Sequence, residues 1–160
     1  METYKRKFTG SNYQSGLTTK DIKKLVLKEL KYIYPNSTFS IRTTYNTISI
    51  SLMKSDLKVF ADLDLEVLEH EYRKGNYYCN LEEFKGYLKQ EVESGQMLLN
   101  PFWVEENYKL TKEAKKLFKD TLQIVNSYNY DDSESMIDYF DTSFYLDLEI
   151  GRFEKPFIKL

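Results

Sequence analysis

Few side chains of this sequence could perform nucleophilic or acid–base chemistry. His70 and Cys79 are the single histidine and the single cysteine, and the nucleophile that they could form is a thiolate–imidazole pair. Nothing in the sequence orients one toward the other, so a structural role for both is favoured. The G-x-S-x-G, G-x-x-x-x-G-K and G-x-G-x-x-G patterns of hydrolases and nucleotide-binding proteins do not occur. The sequence therefore predicts a protein that is not an enzyme and uses no cofactor.

Carboxylates are the only candidate metal ligands. They form a D-x-D pair at Asp62 and Asp64 and a cluster that begins at Asp131. An EF-hand loop counted from Asp131 would need glycine at its sixth position and glutamate at its twelfth, where Met136 and Thr142 stand. This spacing excludes a calcium loop, and a Mg²⁺ ion held by a few carboxylates is the weaker alternative to the prediction of no metal.

The charge is strongly polarised along the chain, although the net charge is only −2. Residues 1–60 carry a net charge of +7, residues 61–125 carry −4 and residues 126–160 carry −5. Such a chain can present a basic and an acidic surface, each of which steers a partner of opposite sign. The simpler alternative is that these charges only solvate ordinary helix faces.

The acidic surface is predicted in the segment 129–142, where acids alternate with aromatic residues. Tyrosine provides contact area at low entropic cost, which suits a protein interface. Carboxylates there could imitate nucleic-acid phosphates and occupy a basic channel of another protein. The candidate partner-binding residues are Asp131, Asp132, Glu134, Asp138, Tyr139, Asp141 and Tyr145.

The alternative surface is basic and lies on the first predicted helix. Its side chains recur at helical spacing, opposite the apolar stripe: Lys20, Lys24, Lys28 and Lys31. These lysines could contact nucleic-acid phosphates, but arginines that would read base edges are missing from the stripe.

The elements that must position these residues follow from periodicity and caps. Helices are predicted from Thr18 or Thr19 to Tyr34, from Asn80 as N-cap to Ser94, and from Thr111 to Tyr128. The segment 56–75 is ambiguous between strand and helix, and a short helix before Gly75 is favoured. Strands are predicted at 38–43, 47–53 and 143–150, and Met97–Val104 is predicted as an apolar link.

These elements predict one α+β domain over residues 1–160. It would contain a small antiparallel sheet, built from a hairpin near 38–53 and the strand 143–150, with three to four helices packed on it. The first thirty residues are polar and cationic without a long apolar run, so neither a signal peptide nor a membrane span is expected. A single cysteine fits a reducing compartment, and the predicted location is the cytoplasm.

Two blocks of the sequence resemble a known family. The first contains Asn12-Tyr13, the run 16–22, Tyr34-Pro35 and the run 39–42; the second contains the runs 128–133, 138–141, 144–145, 150–153 and 155–157 with Met136. Together they resemble the large polyvalent protein-associated α+β domain of phages, plasmids and other bacterial mobile elements. The match covers both ends of the chain, and its motifs define a fold rather than an active site.

The resemblance implies an accessory protein of a mobile element, among whose relatives are anti-defence proteins. Some small phage proteins of low-GC Gram-positive bacteria are anti-CRISPRs that bind a type II CRISPR nuclease. The functional expectation is therefore an inhibitor that binds such a nuclease with its guide RNA. The alternatives are a nucleic-acid-binding accessory module that uses the lysine-rich first helix, and, more weakly, an enzyme that depends on Cys79 and His70 or on carboxylates.

Overall fold

The computed structural model describes residues 7–160. These residues form four helices, which are α1 (Thr19–Ile33), α2 (Leu65–Lys74), α3 (Leu81–Ser94) and α4 (Lys112–Asn126). They also form seven strands, which are β1 (Phe8–Thr9), β2 (Thr38–Thr43), β3 (Thr47–Ser55), β4 (Met97–Leu99), β5 (Tyr130–Asp131), β6 (Tyr145–Ile150) and β7 (Ile158–Lys159). The predicted α+β class is confirmed.

Side-chain caps fix where the helices begin, as the sequence predicts. The Thr18 hydroxyl accepts a hydrogen bond from the Asp21 N–H at 3.2 Å, and the Asp21 carboxylate accepts one from the Thr18 N–H at 3.0 Å. Asn80 and Glu83 form the same reciprocal box at the start of α3. Asp64 accepts a hydrogen bond from the Val67 N–H at 2.9 Å, and this cap starts the helix favoured in the ambiguous segment 56–75.

The central sheet has the strand order β2-β3-β6-β4, with β7 beside the end of β3. The predicted hairpin is confirmed, since β2 and β3 pair antiparallel. The sheet is not antiparallel throughout, because β6 runs parallel to β3 from Tyr145 to Ile150. The two strands are joined by a long crossover that contains α2, α3 and α4, and a crossover, unlike a tight turn, returns the chain in the same direction.

The predicted apolar link Met97–Val104 is wrong in its first part, which is strand β4. Met97 and Leu99 are buried and the intervening Leu98 is 81% exposed, the alternation of a strand with one covered face. Three residues are too few for a clear period in the sequence, and Pro101 ends the strand because proline cannot donate to the ladder.

The core lies between the sheet and the pair α1 and α4. Its inward side chains have almost no exposed surface, and those from the two helices include Ile22, Val26, Leu30, Leu117, Phe118 and Val125. From the sheet they meet Ile48, Ile50, Leu52, Leu148 and Ile150. Helices α2 and α3 instead pack against each other, around a cluster of Tyr72, Tyr77 and Phe84. Within residues 7–160, no helix is long and apolar enough to cross a membrane.

Candidate protein-binding surface

The predicted acidic segment folds as a hairpin. After α4, the chain pairs β5 with β1 and then forms two arms that face each other. The Asp132 N–H donates to the Asp141 carbonyl at 2.8 Å, and the Glu134 N–H donates to the Tyr139 carbonyl at 2.7 Å. We call residues 131–142 the acidic hairpin. Because its arms are held by backbone hydrogen bonds, it carries its carboxylates on a defined scaffold.

Two of the predicted binding acids stabilise this hairpin internally. The Asp141 carboxylate accepts hydrogen bonds from the hydroxyls of Tyr130 and Tyr139, the latter at 3.2 Å. The Asp131 carboxylate accepts one from the Ser133 N–H at 2.8 Å. The hydrogen bond to Asp141 raises the pKa of Tyr130 to about 12, because ionisation would place a phenolate against a carboxylate. The carboxylates of Asp131 and Asp141 therefore stabilise the hairpin itself.

Asp132, Asp138 and the tip of the hairpin face solvent, whereas the predicted binding residue Glu134 is half-buried. Asp132 is exposed and forms an ion pair with Lys7 at 3.0 Å, and Asp138 is exposed with a φ of +53°. A single 3₁₀ turn forms the tip and leaves Met136 86% exposed and Ile137 73% exposed. An apolar tip flanked by carboxylates suits contact with another protein, since the apolar groups gain free energy on burial and the charges set orientation.

A cleft of about 730 Å³ opens between the acidic hairpin, the end of α4 and the loop after β4. Six aromatic side chains line it, and four of these are half exposed or more: Phe102, Trp103, Phe140 and Tyr145. We call it the aromatic cleft. Its charged lining groups are the carboxylates of Asp131 and Asp147, and no described lysine, arginine or histidine lines it.

The cleft joins two predicted site residues to others that the sequence did not reveal. Asp131 and Tyr145 line it, whereas Phe102, Trp103 and Asp147 were not predicted as site residues. The signal that the sequence offered was the aromatic pair Phe102-Trp103 directly after Pro101. The structure adds that Trp103 is 55% exposed, which is unusual for a tryptophan.

The Asn129 side chain attaches the acidic hairpin to the core. Asn129 is 5% exposed; its amide donates to the Phe144 carbonyl at 3.1 Å and accepts from the Phe144 N–H at 3.2 Å. This pair of hydrogen bonds ties the chain after α4 to the residue before β6. Both ends of the acidic hairpin are thereby anchored on the core.

The lysine stripe lies on the solvent face of α1, as predicted. Lys20, Lys24, Lys28 and Lys31 are all exposed, and none of the four forms an ion pair within residues 7–160. On the neighbouring α4, by contrast, Lys116 pairs with Asp120 at 2.6 Å. The stripe is thus a basic surface on the solvent face of α1 whose lysines form no ion pair within the described residues.

The candidate catalytic pair is not assembled. His70 is exposed on α2 and lines a shallow cavity with Glu66, Glu69 and Arg73. Cys79 is half-buried and lines a different cavity. No group of three or more His, Cys, Asp or Glu side chains within residues 7–160 is arranged to hold a metal ion.

No protein-family model, no curated protein and no solved structure matches this chain significantly. The resemblance to the mobile-element domain therefore stays a prediction, and the function has to be argued from the geometry.

Proposed function

We propose that this protein is a non-enzymatic inhibitor encoded by a phage or another mobile element, and that it binds a host defence nuclease in the bacterial cytoplasm. The proposed target is a type II CRISPR nuclease in complex with its guide RNA. The observation that supports this most is the acidic hairpin, which projects carboxylates and an apolar tip from a scaffold anchored on the core.

Charge explains why a nuclease is a suitable partner. Nucleases bind nucleic-acid phosphates through lysine and arginine side chains, so the surface that holds their substrate is basic. An acidic surface is attracted to such a surface and is steered toward it over about one Debye length, roughly 8 Å at physiological salt. Residues 126–160 carry a net charge of −5, and the acidic hairpin concentrates five of these carboxylates.

Apolar contacts would supply most of the binding free energy. Exposed ion pairs contribute only about 0–1 kcal/mol each, whereas buried aromatic and aliphatic anchors dominate interface energetics. Met136 and Ile137 at the hairpin tip, together with Phe140 beside the cleft, are such anchors. The resemblance to mobile-element proteins then specifies the class of partner, a host defence enzyme.

The test replaces the two acids that face solvent without disturbing the hairpin. In the double variant Asp132→Asn, Asp138→Asn, the shape is kept, and asparagine tolerates the left-handed backbone of residue 138. We expect slower association with the target nuclease, by about tenfold at low salt, because steering charge is lost. The matched control, Asp62→Asn with Glu82→Gln, removes two exposed acids elsewhere on the surface and should leave the association rate within about twofold. Equal association rates for the double variant and the control would contradict the proposal.

A second candidate function is binding of nucleic acid by the lysine stripe of α1. The observation in its favour is that its four exposed lysines form no ion pair within the described residues. Such binding would weaken steeply as salt rises, since each neutralised phosphate releases counterions. A titration of duplex and single-stranded oligonucleotides at low salt decides, and no retention of either would dismiss this candidate.

A further inference from the structure

At the aromatic cleft, part of β6 has no neighbouring strand on the side of β4. β4 pairs with β6 only from Leu148 to Ile150, and the last pair joins Leu99 to Leu148. Two residues further along this antiparallel register, Pro101 would stand opposite Leu146. Proline has no N–H to donate, so the ladder stops there and the edge of β6 faces the cleft instead.

The direction of the backbone groups follows from the pairing with β3. The Tyr145 N–H donates to the Asn46 carbonyl at 2.8 Å, and the Gly151 N–H donates to the Leu52 carbonyl at 2.9 Å. Because peptide groups alternate along a strand, odd-numbered residues of β6 direct theirs toward β3 and even-numbered residues toward β4. The N–H and C=O of Leu146 therefore point to the side that β4 has left, and within residues 7–160 they form no hydrogen bond outside the sheet ladder.

The free edge is short, because the next even residue is already satisfied. The N–H and C=O of Phe144 are paired with the Asn129 side chain. One donor and one acceptor remain at Leu146, which suits an extended peptide segment of about three residues, the unit that places one residue in register and one on each side.

The walls of the cleft specify the side chain that such a segment would carry. Phe102, Trp103, Phe140 and Tyr145 present exposed rings, and the charged lining groups are the carboxylates of Asp131 and Asp147. A guanidinium can stack on aromatic faces while it pairs with a carboxylate. Among the described residues, an acidic segment or a phosphate would meet only like charge there.

We propose that the aromatic cleft binds an extended, arginine-bearing segment of a partner protein, which adds a short strand beside Leu146 in the position that β4 vacates. The aromatic rings hold the arginine side chain. The Asp147 carboxylate, which also accepts a hydrogen bond from the Ser49 hydroxyl at 3.0 Å, pairs with the guanidinium. This inference deepens the proposed function, since it assigns the contact through which the chain would hold a basic surface of its target.

The test uses peptides and needs no nuclease. Trp103 is the only tryptophan of the chain and lines the cleft, so intrinsic fluorescence reports on binding there. Trp103 also lines a second cavity beside α3, and the Asp147 variant below assigns the signal to the cleft. The full chain is titrated with acetylated tripeptide amides X-Arg-X, where X is an equimolar mixture of Leu, Ile, Val, Phe and Tyr, and with X-Glu-X as the matched control. We expect a saturable change of Trp103 emission with X-Arg-X and none with X-Glu-X. Asp147→Asn should weaken the binding by about two- to fivefold, the size of one exposed charge pair, and Asp62→Asn should leave it unchanged.

Hydrogen exchange adds a readout of the backbone pairing. In the free chain the Leu146 amide should exchange faster than the Leu148 amide, which lies inside the ladder, and X-Arg-X should slow the exchange at Leu146. No saturable change with X-Arg-X, an equal response to X-Glu-X, or a Leu146 amide as protected as that of Leu148 before peptide is added would each overturn the inference. Peptide binding without inhibition of any nuclease would refute the proposed function and support the cleft assignment. Inhibition of a nuclease without peptide binding would refute the cleft assignment and support the proposed function.

Discussion

Replacing Asn129 with alanine tests the anchor on which the acidic hairpin and the aromatic cleft both depend. The variant removes both hydrogen bonds to Phe144, at 3.1 and 3.2 Å. Phe144 is 2% exposed, so its backbone N–H would be left buried without a partner, while its C=O would keep the hydrogen bond from the Thr142 hydroxyl at 3.2 Å. An unsatisfied buried polar group costs about 1–3 kcal/mol.

For one such group, we expect Asn129→Ala to lower the free energy of unfolding by about 1–3 kcal/mol. In a domain of this size, 1 kcal/mol shifts the melting temperature by roughly 2–4 °C, so the variant should melt about 2–12 °C lower. Urea unfolding monitored by circular dichroism gives the free energy of unfolding, and a thermal melt gives the melting temperature.

Asn36→Ala is the matched control for this prediction. Asn36 is exposed and donates to the Asp56 carboxylate at 2.8 Å, and loss of such a surface hydrogen bond should change stability by less than about 0.5 kcal/mol. An Asn129→Ala variant as stable as the Asn36→Ala variant would refute the reasoning that Asn129 anchors the hairpin.

Two other perturbations test particular features of the fold. Burial, followed by a hydrogen bond to a glutamate, raises the pKa of Tyr128 to about 12, so the folded protein keeps a proton that the unfolded chain loses near pH 10. Stability should thus be retained below pH 10 and fall between pH 10 and about 12, and urea titrations of Tyr128→Phe should show a shallower fall; an equal fall would contradict this. Gly151→Ala should cost at least about 2 kcal/mol, since φ is +63° and a Cβ would lie 2.1 Å from a backbone carbonyl oxygen. Gly86→Ala, in the interior of α3 with open space around it, should instead stabilise by about 0.5–1 kcal/mol, and thermal melts that rank the two the other way would contradict the account.

Local signals predicted much of this fold. The Asn80 and Glu83 capping box set the start of α3, and the apolar period of α1 placed Ile22, Val26 and Leu30 in the core. These succeed because caps and helical faces depend on residues three or four apart, which the sequence displays directly.

Features that depend on distant pairing were missed. The parallel direction of β6 is decided by a crossover of many residues, and β4 is too short to show a period. The same limit applies to the candidate site. The sequence indicated the acids of the acidic hairpin, but the use of Asp141 as an internal acceptor depends on its position opposite Tyr130. Trp103 and Tyr145 line the same cleft because the pairing of β4 with β6 brings the loop that carries Trp103 to this edge of the sheet.

The most direct measurement of the central claim combines a pull-down with a DNA-cleavage assay. Purified type II CRISPR nucleases from low-GC Gram-positive hosts, with and without guide RNA, are incubated with the full chain and with the Asp132→Asn, Asp138→Asn variant. We expect the chain to bind at least one nuclease–guide complex and to suppress cleavage, and the variant to do so with a slower association rate. Retention of full cleavage activity by every nuclease in the presence of excess protein would contradict it.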